Sequence, residues 1–382
     1  MIQVETIVIG GGPAGSAVAC GLARYGHDVM LIERTATSQH KVCGEFLSVE
    51  TQLLLRRLGV DPLALGAVPV DEVALYSSRR SVTSALPFRG LSLSRYRLDA
   101  ALLRHAHFSG ARLHRDVTVK TARPDGSGWL VVCDNGHTVS CRNLVLATGK
   151  LGLRGIDDTR DGSQVGLKMH LRPTPDIRRA LEGRVELYFL EASYIGLELV
   201  EDGIANLCMV LPGKAMSQFG SGWPALRNHV AAALPALAER LADAEPLWDK
   251  PKAVACPSGG HLHRERNTAA YRVGDRLAHI PPFTGDGLAI ALGSAALAVA
   301  HIREGLSPDV YLAAARKLTA GPIRLASIVS CLAGHRISRN LMFAAATRGP
   351  GLIGSIVRRT RLTRAMDGLD PAVLPAPPLV SP

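Results

Sequence analysis

Aromatic side chains make up only 4% of this 382-residue chain, so any small-molecule pocket is expected to be walled by aliphatic groups. The seven cysteines (Cys20, Cys43, Cys133, Cys141, Cys208, Cys256, Cys331) contain no CxxC pair and are odd in number. That pattern argues for reduced thiols in a cytoplasmic protein and against a zinc site or disulfide framework. The longest apolar run, Gly287 to Ala300, is too short and too rich in Gly, Ala and Ser to span a bilayer. Only Met1 to Glu5 precede the first expected strand, so no signal or transit peptide is expected. Acidic residues are missing altogether from Tyr311 to Met366. The same stretch carries Arg316, Lys317, Arg324, Arg336, Arg339, Arg348, Arg358, Arg359, Arg361 and Arg364, which nearly account for the net charge of +11. Two readings are open: a solvated helical tail, or a surface for an anionic membrane, an acidic carrier protein or a reductase partner. No nucleic-acid motif or aromatic interleaving accompanies the basic residues, so nucleic acid is not an expected partner.

What is present is a well-cored globular chain, 47% hydrophobic and 20% charged, long enough for one large domain and a second. Its organising stretch runs Ile7-Val8-Ile9-Gly10-Gly11-Gly12-Pro13-Ala14-Gly15-Ser16. An apolar strand enters a glycine turn and leaves as a helix of small residues. Gly10 permits the tight turn, Gly12 lets backbone approach a pyrophosphate, and Gly15 lets the helix pack close to the strand. The phosphate sits on the helix's unpaired N–H groups. A second strand, Asp28 to Ile32, ends at Glu33, at the right distance to hold a ribose hydroxyl. Together these predict an adenine-dinucleotide site.

Further along, the spacing predicts helices over 49–58 and 98–107, a strand pair at 73–76 and 81–86, and strands at 111–114 and 117–121. A hairpin is expected from Trp129 to Cys141 around Asp134-Asn135-Gly136, and a buried return strand at 143–148 ending on Gly149. Three consecutive strands at 185–190, 194–200 and 204–211 read as an inserted antiparallel sheet. Helices follow at 223–243, at 288–303 and from Asp309 on. A Pro-rich tail, Asp370 to Pro382, is expected to be disordered.

This order resembles the flavoproteins built like para-hydroxybenzoate hydroxylase, and within them the geranylgeranyl reductase and flavin halogenase branch. The resemblance spans Val4 to Arg303. It rests on the glycine turn with Glu33, the Arg95-Leu98-Asp99 helix start, Ala147-Thr148-Gly149, Gly274-Asp275, and Pro282 to Gly287. It implies an α/β fold with a Rossmann-like FAD-binding domain, an inserted antiparallel substrate sheet and a helical C-terminal region. The expected division is 1–72, 93–155 and 257–305 for FAD, 73–92 and 156–256 for substrate, then 306–369 helical and 370–382 as the tail.

The resemblance also implies roles. Gly10, Gly12, Pro13, Ala14 and Gly15 would hold the FAD pyrophosphate, and Glu33, with Arg34 counted in the same set, the adenosine ribose. Arg95 would lie along the pyrophosphate and ribityl chain, Val119 would offer backbone to the adenine, and Gly149 would give room beside the cofactor. Gly274 and Asp275 would meet the ribityl region. Pro282, Gly285, Asp286, Gly287 and Leu288 would turn backbone N–H groups toward the flavin pyrimidine ring. Cys43 and Gly44 match the Cys-Gly that reductases place near the flavin.

Some motifs depart from the relatives. The reductases' Tyr-x-Trp-x-Phe-Pro motif maps onto Tyr194 to Leu199 with only the Tyr kept, which puts a polyprenyl substrate in question. The Trp-x-Trp-x-x-Pro segment of tryptophan halogenases is absent. After Gly149, the Asp-Gly of NADPH-using hydroxylases gives way to Lys150-Leu151-Gly152-Leu153-Arg154-Gly155, and Asp161-Gly162 reads as a turn. NADPH or NADH thus stands as a possible electron donor only.

Cys43 and Glu45 are the candidate catalytic residues. A Glu45 desolvated beside the flavin would have a raised pKa, suiting a general acid; a solvated helix-start acid is the alternative. Tyr194 and Glu198, four apart on a strand, point to one side and are placed with Phe283 in the substrate pocket. His261-Leu262-His263 and His105-Ala106-His107 lack acidic or cysteine partners at ligand spacing, so no metal is expected. The expected activity is FAD-dependent hydride transfer to a C=C bond of a hydrophobic small molecule, or the reverse dehydrogenation. The alternative is an FAD-dependent monooxygenase (hydroxylase or epoxidase, less readily a halogenase) of an aromatic or polyketide-like secondary metabolite. The expected location is cytoplasmic, with peripheral membrane contact through the basic region as an option.

Overall fold

Strand β1 (Ile2–Ile9) and strand β2 (Val29–Glu33) are nearly continuous apolar runs because both faces of a parallel sheet are covered. Between them, helix α1 (Pro13–Arg24) starts with Pro in its first turn, where a missing N–H costs nothing. The computed structural model describes residues 2–78, 80–150, 152–153, 163–191, 193–215, 222–256, 260–263, 269–349 and 351–362. The expected tail 370–382, the Asp161-Gly162 turn, Arg154-Gly155 and Arg364 lie outside these residues.

The elements that follow are β3 (Phe46–Leu47), α2 (Val49–Arg57), β4 (Val68–Tyr76), β5 (Ser81–Ser92), α3 (Arg95–Phe108), β6 (Arg112–Arg115), β7 (Val119–Asp125), β8 (Gly128–Cys133) and β9 (Thr138–Leu146). Then come β10 (Gln164–Arg172), α4 (Pro175–Leu181), β11 (Gly183–Leu190), β12 (Ser193–Leu199), β13 (Ala205–Pro212), α5 (Trp223–Ala233), α6 (Pro235–Leu241), β14 (Glu245–Pro246), β15 (Lys252–Cys256) and β16 (His261–Leu262). The chain closes with β17 (Tyr271–Arg272), β18 (Ala278–His279), α7 (Gly287–Arg303), α8 (Pro308–Gly334), α9 (Arg336–Arg348) and α10 (Gly351–Thr360).

The first sheet runs β6-β2-β1-β9-β8-β7, with β17 on the edge of β9. Its β6-β2-β1-β9 half is parallel and its β9-β8-β7 half an antiparallel meander. The expected hairpin arm and return strand are one strand: β9 pairs β8 through Thr138–Cys141 and β17 through Val145–Leu146, while β1 follows its whole length. Helix α7 is buried on nearly every face, against α1 and α2. A helix apolar all round belongs at a domain centre, which accounts for the long apolar run. Among the described residues, no helix is long and apolar enough to cross a membrane.

The second sheet runs β14-β10-β13-β12-β11-β4-β5-β3, with β15 on the edge of β10. Two features differ from expectation. The β11–β4 pair is parallel, so the sheet is mixed. Strand β10 was not anticipated, because Lys168 and His170 interrupt its apolar pattern. Strand β4 also begins at Val68, before the expected boundary at residue 73, because Val68 already pairs with Ser92.

Alternation sorts the two faces of this sheet. Leu167, Met169, Ile195, Leu197, Leu207 and Met209 form a core with Trp223, Leu226, Val230 and Leu237 of α5 and α6. The opposite face carries one cross-strand row, Lys168, Cys208, Gly196, Leu187, Leu75 and Val82. The neighbouring row includes His170, Asn206, Glu198, Val185 and Val73. This face is therefore polar on β10, β13 and β12, and aliphatic on β11, β4 and β5. Over the aliphatic end lie Ala346 of α9 and Ile353 and Val357 of α10.

Candidate functional site

The glycine turn is closed by backbone sterics. Gly10 has φ +106°, and a Cβ there would lie 2.4 Å from the Ala147 carbonyl oxygen. A Cβ on Gly15 would lie 1.9 Å from the Gly10 carbonyl oxygen, so Gly15 packs helix against strand and does not itself border the cavity beyond. A Cβ on Gly12 would meet nothing nearer than Arg95, at 3.8 Å. Its backbone is open to approach, as a phosphate requires.

Glu33 Oε2 accepts from the Gly11 N–H (2.7 Å), and Oε1 accepts from the Thr35 N–H (3.0 Å) and hydroxyl (2.7 Å). Burial works to raise this carboxyl, but those donors, with Lys41 nearby, hold it below the usual range. The end of β2 thus fixes the glycine turn as well as presenting an acid. Glu33→Gln is expected to weaken FAD binding about tenfold, since bonds to charged acceptors contribute about 1.5–3 kcal/mol; fluorescence titration of the apoprotein measures it.

One cavity of about 1110 Å³ gathers the expected residues. Gly10, Gly12, Pro13, Ala14, Glu33, Arg34, Cys43, Gly44, Arg95, Val119, Gly149, Gly274, Asp275, Pro282, Gly285, Gly287 and Leu288 all line it, as do Glu45, Tyr194, Glu198 and Phe283. Arg95 is held by a bidentate pair with Asp99 (2.7 and 2.8 Å). Gly274, at φ +59°, brings its loop to the first turn of α1, where a Cβ would stand 3.1 Å from Ala14. Burial tends to raise the Asp275 carboxyl, yet His279, Lys150 and Arg95 bring it to about 2. Phe283 meets Tyr194 edge-on, with ring centroids 6.0 Å apart.

The side chain of Asp286 departs from expectation. It is fully buried, does not border the cavity, and accepts from Arg361 Nη1 at 2.6 Å. Burial outweighs Arg361 and, with Glu50 adding like charge, raises its pKa to about 7. Arg361 also lies over the Phe88 ring at 4.6 Å, so it belongs to the interior and not to the basic surface.

Glu45 is the second correction. It sits at φ +65°, the left-handed region that costs a non-glycine residue about 1–3 kcal/mol. Leu93 N–H donates to its carbonyl (3.1 Å), Arg95 N–H to Oε1 (2.7 Å), Lys168 forms an ion pair with it, and His170 lies 2.9 Å from Oε2. Burial alone would raise its pKa; Lys168 and His170 reverse the direction, so Glu45 is a carboxylate and not the proton-bearing acid expected. Asn206 Nδ2 donates to the Cys43 and Gly44 carbonyls (3.2 and 3.0 Å). Glu45 and Asn206 together fix the loop that carries Cys43.

The carboxyl that does hold a proton is Glu198. It is 3% exposed, accepts from the Ser92 hydroxyl, and has a pKa raised to about 8 by burial, with Ser92 opposing and Glu45 adding to the rise. Lys168, His170 and Ser92 were missed from sequence, although Gly166, Lys168 and His170 alternate as residues of one strand face do. The C-terminal helices were also missed as cavity walls: Met342, Phe343, Ile353, Ile356 and Val357 line it. The solvated-tail reading of that region is therefore corrected.

Residues 3–154 match the FAD binding domain family. With the glycine cradle and the two-sheet architecture, this makes the chain an FAD-dependent oxidoreductase of the para-hydroxybenzoate hydroxylase-like superfamily. Menaquinone reductase of Mycobacterium tuberculosis is 25% identical over an alignment covering 94% of this chain and 98% of that protein. Digeranylgeranylglycerophospholipid reductase 2 of Methanopyrus kandleri is 25% identical, covering 81% of this chain and 79% of its own. The solved structure of the flavin-dependent brominase Bmp2 superposes with a TM-score of 0.79 at 19% identity, covering 97% of both chains, and so shares the fold.

Proposed function

We propose that this FAD-dependent oxidoreductase reduces a C=C bond of a hydrophobic small molecule, or runs the same step backwards as a dehydrogenation. The observation that carries the reading is the continuity of one cavity, from the glycine cradle, past Cys43 and Glu198, into an aliphatic lobe between β4, β5 and β11 on one side and α9 and α10 on the other. FAD, when bound, supplies or accepts the hydride.

The chain supplies the rest. Gly10 to Ala14 at the start of α1 hold the pyrophosphate, and Arg95 lies beside it. The Pro282 to Gly287 turn presents backbone N–H groups where negative charge develops. Val73, Leu75, Leu187 and Phe343 exclude water and orient the apolar part of the substrate. Glu198 keeps a proton on its carboxyl at neutral pH, available to the carbon that does not receive the hydride; Cys43 faces the same space as a second donor. The names of two relatives, both reductases, support this direction. Reducing equivalents are proposed to come from NADPH or NADH.

Anaerobic turnover tests the reading. Enzyme pre-reduced with dithionite and mixed with a polyprenol or polyprenyl quinone should return a product with two more hydrogen atoms. Strict dependence on oxygen, with an oxygenated product, would replace it by the monooxygenase reading.

A further inference from the structure

Helices α8, α9 and α10 pack on one another at the aliphatic end of the cavity, and their outer surface is unusual in two independent ways. Large apolar side chains stand in solvent on either side of the corner where α8 meets α9: Ile328 and Leu332 one turn apart on α8, and Ile337 (78% exposed) and Leu341 (66%) one turn apart on α9. Soluble surfaces scatter such residues singly; grouped ones mark a contact surface. Around them, Arg324, Arg336, Arg348, Arg358 and Arg359 are exposed, in a stretch without a single acidic residue. Apolar residues rimmed by unopposed arginines match an interface whose headgroups are anionic and whose interior is hydrocarbon.

The position of this surface adds a third observation. Leu341 and Leu352 are exposed and also line the cavity, so they stand where it opens. We propose that the α8–α10 face docks on an anionic membrane surface and that the apolar substrate passes from the bilayer into the cavity between Leu341 and Leu352. The entry route rests on the apolar substrate argued above; the docking does not.

The test uses FAD-loaded full-length protein and vesicles of phosphatidylcholine alone or mixed with phosphatidylglycerol. Sedimentation with the mixed vesicles only, lost at high salt, is expected. Two double variants separate the contributions: Leu332→Ser with Ile337→Ser removes apolar contact, and Arg336→Ser with Arg348→Ser removes charge. Each should weaken vesicle binding about tenfold or more, while flavin content and turnover of a detergent-dispersed short alkene stay unchanged. Wild-type protein that ignores the mixed vesicles, or variants that bind them equally well, would overturn the docking. So would binding to a soluble polyglutamate with none to vesicles, which would assign the face to an acidic protein. Vesicle binding without turnover of any alkene would leave the docking standing and remove the reductase reading.

Discussion

Glu198→Gln is expected to slow turnover about 10²-fold or more, the usual contribution of a positioned general acid, with little change in flavin content. The amide keeps the shape and can still accept from Ser92, but it has no acidic proton to give. The pH profile separates this from a packing defect. The Glu198 pKa, about 8 in the folded protein, lies above that of an exposed glutamate. The wild-type proton is therefore retained through neutrality and lost as pH rises through about 8. Wild-type turnover should fall across that point, whereas the residual rate of the variant should not. Stability should move with it: the buried carboxylate is penalised once ionised, so wild type should lose thermal stability relative to Glu198→Gln as pH climbs from mildly acidic to above 8. A variant with wild-type rate and profile would remove Glu198 from the mechanism.

Lys168→Met is expected to cost about 3–5 kcal/mol of stability at neutral pH, the usual cost of leaving one buried charge without its partner. Lys168 and Glu45 are both fully buried, and the pair fixes a residue whose backbone is already strained. The sign with pH follows from Glu45. With Lys168 present its folded pKa is lowered, so it contributes stability above the unfolded value and loses it as pH falls through the folded one. Without Lys168, burial raises Glu45 instead. The variant should then be worst near neutrality and regain ground against wild type as acid protonates Glu45. Glu45→Gln combined with Lys168→Met should recover much of the loss, as neutral replacements of buried pairs do. Chemical denaturation of the four proteins across pH measures the coupling.

The parts legible in the sequence were those that local sterics dictate. Gly10, Gly12 and Gly15 have the spacing a strand–turn–helix demands, and Glu33 follows at the length of one βαβ unit. The side of β12 that carries Tyr194 and Glu198 followed from period-two alternation. What stayed hidden depended on partners far along the chain. Glu45 and Glu198 are both acids in buried places, yet one is ionised and the other protonated, because Lys168 stands beside the first and Ser92 beside the second. Strand β10 was obscured by the very residues, Lys168 and His170, that give it its role. Asp286 looked like a residue of the flavin loop, but Arg361, 75 positions on, draws its side chain away.

That last bond has a bearing on biosynthesis. The turn that ends at Asp286 is complete only once Arg361 has been made and has left the ribosomal tunnel. Until then a nascent polypeptide already possesses the glycine cradle and both sheets, yet carries a buried acid with no counter-ion. Cofactor capture is thereby timed to follow chain completion, so prematurely terminated products would compete poorly for FAD.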